Sequence, residues 1–303
     1  IFGMANIGHG YKLISSLFFL NSIFYLPFIE YFSFHFSLLF FLIFFNFFLI
    51  NEIISKSTNE VIKFLYMFAL AFFNLSFNRL AEFGTDKVGQ LLIVILVIKV
   101  FQHTCFDNNK FKLSNILLLI PLLGFCISLK TYFLPYVLIG LTIILLDSRI
   151  VKNLKNIFYS KSFFIFFSFL SIYFFHHFIS TGCLISPLSL TCFGDNLEWA
   201  MSSKSYENLS IWLEQWAKAG AGPNFRIENP LDYIQYFNWI PNWIEMYFKV
   251  KILDQLGILI SVFFVTFLLF KSFKLKTNSL FLNRKILFFY SIILVIFFIW
   301  FSN

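Results

Sequence analysis

Long apolar blocks alternate with short polar breaks along this chain. The blocks fall at about 13–29, 35–54, 62–78, 88–106, 113–129, 131–147, 162–180, 252–271 and 285–301. Each is close to the ~20 residues a helix needs to cross the hydrocarbon core of a bilayer. No block shows the strict alternation of a barrel strand, and an open sheet leaves backbone groups unsatisfied in lipid. The pattern therefore predicts an all-α integral membrane protein with about nine transmembrane helices. It divides the chain into a membrane region at 1–180 with about seven spans, an external loop at 181–251 carrying short amphipathic helices, and two further spans at 252–303. Two places are weak. Block 13–29 holds Asn21 and Pro27, and only Lys130 separates 113–129 from 131–147, which read either as a tight hairpin or as one broken helix.

Composition agrees with the pattern. Charged residues make up 13% of the 303 residues and hydrophobic residues 59%, whereas a soluble domain carries about 25% charged residues. The 49 phenylalanines read as AT-rich codon usage acting on lipid-facing positions. Because the chain starts at Ile1 and stops soon after a span, it reads as a fragment or processed piece. The net charge of +8 is concentrated in two loops. One holds Arg149, Lys152, Lys155 and Lys161; the other holds Lys271, Lys274, Lys276, Arg284 and Lys285. By the positive-inside rule both are cytoplasmic, which places 181–251 outside. This charge speaks for topology and contact with membrane lipids. No basic groove with interleaved aromatics points to nucleic acid, and no GxxxxGK[ST] loop points to ATP.

The 181–251 segment opens Thr181-Gly182-Cys183 and continues through Pro187, Cys192-Phe193 and Trp199. Cys183 and Cys192 are either a disulfide closing a short loop in an oxidising compartment or two unpaired small hydrophobes. Residues 205–218 predict a helix with Tyr206, Leu209, Trp212, Leu213 and Trp216 on one stripe. A second helix is expected from Asn229 and Pro230, kinked at Pro241. Its aromatics suit the headgroup level, as anchors or as a shelf for a lipid-linked substrate. Trp199 and Trp216 are the candidate shelf residues.

Three short runs carry a resemblance. They are Phe2-Gly3-Met4-Ala5-Asn6-Ile7-Gly8-His9-Gly10, then Phe83-Gly84-Thr85-Asp86-Lys87, and the series Gly182, Pro187, Phe193, Trp199 followed by Trp216-Ala217-Lys218. Together they resemble bacterial multi-pass proteins of the GT-C superfamily of polyprenyl-phosphosugar-dependent glycosyltransferases, linked to surface-polysaccharide or lipopolysaccharide assembly. The resemblance spans most of the chain, although each motif is short. It implies the bacterial inner membrane, a periplasmic 181–251 loop and a lipid-linked sugar donor as partner. It also places the family's usual catalytic acid upstream of Ile1, and it sets the Gly-rich run and the Asp86 loop on one face. Three full spans between them would put them on opposite faces, so block 13–29 is expected not to cross completely.

Such a transferase needs a carboxylate to take the acceptor proton, cations or a divalent metal at the leaving phosphate, and an apolar groove. Glu82 and Asp86 are the candidate catalytic acids, with Asp195 and Glu198 behind them. His9, Lys12, Arg79, Lys87 and Lys130 are candidates for substrate phosphate. Lys130 stands out because a cation between two apolar blocks is a functional candidate by default. No set of His, Cys, Asp and Glu has metal-ligand spacing, so no metal residue is assigned. The competing expectations are an O-antigen polymerase or ligase, which favours paired external arginines where the large loop holds only Arg226, and a transporter or flippase, which favours inverted repeats not visible here.

Overall fold

A computed structural model describes residues 2, 22–29, 36–56, 58–75, 86–106, 113–186, 188–222, 225–249, 256–257, 259–264, 267 and 284–302. The longer helices are α1 (Phe36–Ile54), α2 (Glu60–Leu75), α3 (Lys87–Cys105), α4 (Leu113–Leu129), α5 (Val137–Leu146), α8 (Lys161–Thr181), α9 (Ser203–Ala217) and α12 (Arg284–Ser302). Short helices α6 (Ser148–Lys152), α7 (Leu154–Phe158), α10 (Pro230–Ile234) and α11 (Ile240–Trp243) complete the set, with a 3-10 turn at Thr131–Tyr136 and a π turn at Ile244–Phe248. The only strand pairing among the described residues is a minimal antiparallel ladder, Ala221–Gly222 with Phe225–Arg226, and an isolated bridge between Cys183 and Cys192.

Among these residues three helices, Phe36–Ile54, Lys87–Cys105 and Lys161–Thr181, are long and apolar enough to cross a membrane. That corrects the expectation of nine. The blocks 113–129 and 131–147 are shorter apolar helices, the block at 62–78 yields 16 helical residues in α2, and block 252–271 lies partly outside the described residues. Within block 13–29 only 22–29 are described: 22–23 are helical, and the chain then turns, with Tyr25 N–H donating to the Ser22 carbonyl and Ile29 N–H to the Leu26 carbonyl.

The described residues fall into two compact units, one built on Ile172–Ser261 and the other on Ser15–Ser171 with Val262–Ser302. In the second, α3 is the central element and packs against α1, α2, α4, α5 and α12. Its sequence explains this. It is mostly apolar around its circumference, and 14 of its residues are buried, as suits a helix packed on several sides. Helices α1 and α2 pair through the edge-on rings of Phe45 and Phe73, 5.3 Å apart, and through reciprocal amide hydrogen bonds between Asn46 and Asn74, both 2.9 Å. Such a pair satisfies two amides that hydrocarbon would leave unmet. The chain reverses at Lys130, whose extended backbone (φ −163°, ψ 143°) separates α4 from the 3-10 turn. Leu123 then packs on Gly140, where an added Cβ would lie 2.8 Å from Leu123 Cδ2. Of the two sequence alternatives, the hairpin is the one adopted.

In the unit at 172–261, Cys183 and Cys192 are joined by a disulfide. The bridge is flanked by hydrogen bonds from Leu184 N–H to the Thr191 carbonyl and from Phe193 N–H to the Gly182 carbonyl. Gly182 has φ +83°, and a Cβ there would meet Ala200 Cβ at 2.3 Å, so only glycine fits this corner. Helix α9 begins with Ser202 as N-cap and buries Tyr206 and Leu209 beside Cys183 and Met201. The Tyr206 hydroxyl donates to the Thr181 carbonyl at 2.7 Å, and burial pushes its ionisation above the usual range. The expected second helix is two short pieces. Pro241 sits in the first turn of α11, a position that suits proline without a kink, and Tyr236 breaks the chain before it with φ 50°.

Candidate functional site

Two residues that sequence considered separately meet in the membrane-type unit. Lys130 Nζ donates to both carboxylate oxygens of Asp86, at 2.9 Å and 3.0 Å. Asp86 stands at the N-cap position of α3, yet its side chain makes no cap hydrogen bond. Its carboxylate is committed to Lys130 instead, and it also feels the positive end of the α3 dipole. The pair is accessible, with side chains 26% and 40% exposed for Asp86 and Lys130.

The pairing has a local cause. Phe133 is 1% exposed and lies against Gly89, where a Cβ would come within 2.2 Å of Phe133 Cε2. Gly89 is three residues after Asp86, and Phe133 is three residues after Lys130. Seating that ring on the glycine aligns the 3-10 turn with the first turn of α3. The turn itself closes through Phe133 N–H to the Lys130 carbonyl at 2.9 Å. Lys87, also a candidate for substrate phosphate, sits next to Asp86. It is buried, with its ammonium 5.0 Å from the centre of the Phe73 ring, a cation–π contact that ties α3 to α2. Glu82, Arg79, His9 and Lys12 lie outside the described residues.

The other end of α3 carries a second polar group. Lys99 donates to Glu52 of α1 at 2.8 Å. His103 Nε2 lies 3.6 Å from Asp147 Oδ2, and Arg149 clamps the same carboxylate through Nε at 2.8 Å and Nη2 at 2.7 Å. The Arg149 bonds hold the Asp147 carboxyl below its ordinary value of 3.8, against the opposing effect of burial. These contacts place the basic 147–161 loop at the end of α3 away from Asp86.

In the unit at 172–261, Trp199 is half-buried and edge-on to Phe178 and Phe2, with ring centres 5.5 Å and 5.3 Å away. Trp216 is 42% exposed and edge-on to Trp212 at 5.3 Å. A cleft of about 600 Å³ opens beside this pair, lined by Ser205, Asn208, Trp212, Arg226 and Leu231 among others. Sequence reading missed it because Arg226 and Asn208 are 18 positions apart and are joined only through the hairpin after α9; Arg226 Nε is positioned by Gln215 Oε1 at 3.3 Å. Glu198 is exposed. His177 is buried with its ring 4.4 Å from that of Tyr173. Among the described residues no three His, Cys, Asp or Glu side chains are grouped to hold a metal ion.

The whole chain, residues 1–303, matches the family described as "Domain of unknown function (DUF8201)". It belongs to that family. No curated protein and no solved structure matches it.

Proposed function

We propose that this member of the family is a multi-pass membrane glycosyltransferase of GT-C type, acting on a polyprenyl-phosphate-linked sugar at the outer face of a bacterial inner membrane. The observation that carries the reading is the Asp86–Lys130 pair. It places a carboxylate and a cation side by side at a helix N-terminus, on the end of α3 remote from the basic 147–161 loop. With that loop in the cytoplasm, the pair faces outward. The Cys183–Cys192 disulfide supports an oxidising location for its own unit.

The chemistry follows from the two groups. The acceptor hydroxyl oxygen attacks the anomeric carbon, and the bond from that carbon to the phosphate oxygen breaks. Asp86 takes the hydroxyl proton. The departing polyprenyl phosphate keeps the bonding electrons and is met by Lys130 and the N-terminal end of α3. A Lys ammonium has three N–H donors; two reach Asp86 here, and the third is directed at substrate.

The test is release of polyprenyl phosphate from a panel of polyprenyl-phosphohexoses by membranes carrying the protein. Asp86→Asn and Lys130→Met are each expected to lower the rate by about 100-fold or more, with the protein still folded and inserted. Unchanged release in both variants would remove the pair from the chemistry.

A further inference from the structure

The polar group at the opposite end of α3 borders a cavity of about 350 Å³, and we infer that this cavity holds the phosphate-ester headgroup of a membrane phospholipid from the leaflet facing the basic loops. Its lining is amphipathic. Lys99, Gln102 and His103 of α3 and Asn115 of α4 contribute polar groups, and Leu118 and Leu122 of α4 apolar ones. The volume lies at the small end of ligand sites, enough for a headgroup but not for acyl chains. Leu118 is 73% exposed, so the cavity has an apolar lip on the surface that faces lipid. A bound headgroup would let its acyl chain lie along Leu118 and Leu122.

The donors and acceptors select the headgroup chemistry. Glu52 neutralises Lys99 through one N–H, which leaves the ammonium as a donor without a net charge to satisfy. Asn115 and the Gln102 amide add further N–H donors. These suit the unbridged oxygens of a phosphodiester. Gln102 Oε1 is buried and has no hydrogen-bond partner among the described residues, and a buried acceptor left unmet is unfavourable. It calls for a donor on the ligand, which a glycerol hydroxyl or an ethanolamine ammonium supplies. Lys99 lies six residues before the end of α3 at Cys105, about 9 Å along the axis, the depth of the boundary between headgroups and acyl chains. The neighbouring loop, with Arg149, Lys152, Lys155 and Lys161, draws anionic lipid toward that face.

This inference rests on the bilayer placement of these helices and not on the transfer chemistry. The experiment uses the full chain, purified in detergent and delipidated, with thermal unfolding and native mass spectrometry as readouts. Dioleoylphosphatidylglycerol is expected to stay bound and to raise the unfolding temperature by several degrees. Dioleoylglycerol, which lacks phosphate, and glycerol 3-phosphate, which lacks chains, are each expected to bind at least roughly tenfold more weakly. Gln102→Leu and Asn115→Leu, which keep the Glu52–Lys99 pair, should each weaken the phospholipid by a similar factor. Asp86→Asn should bind it as the unaltered protein does, whatever becomes of transfer activity. Equal binding of the phosphate-free lipid, equal binding of glycerol 3-phosphate, or unchanged affinity in both cavity variants would overturn the assignment.

Discussion

Gly89 decides where Phe133 can sit, and Phe133 decides where Lys130 can reach. A methyl group at position 89 would overlap the Phe133 ring at 2.2 Å and 2.3 Å from two of its carbons, and that ring is fully buried. Gly89→Ala is therefore expected to cost about 1–3 kcal/mol and to pull the 3-10 turn off α3. Thermal unfolding reads the loss, and transfer activity should fall with it although neither Asp86 nor Lys130 is altered. A second expectation at this scale concerns Asp147. Its carboxyl titrates below the ordinary 3.8 in the folded protein. A depressed acid contributes stability above the unfolded value and loses it as pH falls through the folded one. The stability gap between the unaltered protein and Asp147→Asn should therefore close as pH drops below 3.8. A gap that stayed the same or widened below that pH would contradict the assignment. Asp86 and Lys130 were both visible in sequence as chemistry-bearing residues. Their partnership was not, because 44 positions separate them and the link runs through a glycine–phenylalanine contact that no periodicity announces.

At the level of elements, the apolar blocks located helices closely. Block 113–129 coincides with α4, and 35–54, 88–106, 162–180 and 285–301 match α1, α3, α8 and α12 to within two residues at either end. Length in the apolar pattern was a poorer guide to crossing. Block 131–147 begins as a 3-10 turn containing Pro135, and α5 proper has ten residues, about 15 Å of helix. The aromatic second helix after Asn229 failed for a backbone reason, since Tyr236 enters the left-handed region at φ 50° and stops it. The disulfide lies on this scale too. It closes a loop with a sequence separation of nine, and a short loop of this kind is worth about 2–3 kcal/mol. Reductant should lower the unfolding temperature of the unaltered protein and leave a Cys183→Ser/Cys192→Ser variant, already lowered, unchanged. Equal sensitivity of both would mean the bridge contributes nothing.

For the molecule as a whole, the ion pairs that involve α3 separate to its two ends. Asp86–Lys130 occupies one end, and Glu52–Lys99 with His103–Asp147–Arg149 occupies the other. Between them α3 offers buried apolar side chains. A helix long enough to cross a bilayer thus divides two chemically different ends. The most direct measurement is a charge exchange at the Asp86–Lys130 pair. Asp86→Lys with Lys130→Asp rebuilds an ion pair across the same gap while moving the carboxylate away from the start of α3. Unfolding behaviour is expected to stay close to that of the unaltered protein, with release of polyprenyl phosphate lowered by about 100-fold or more, as in either single variant. Restoration of release together with stability would show that Asp86 and Lys130 only hold the fold, and would contradict their role in transfer.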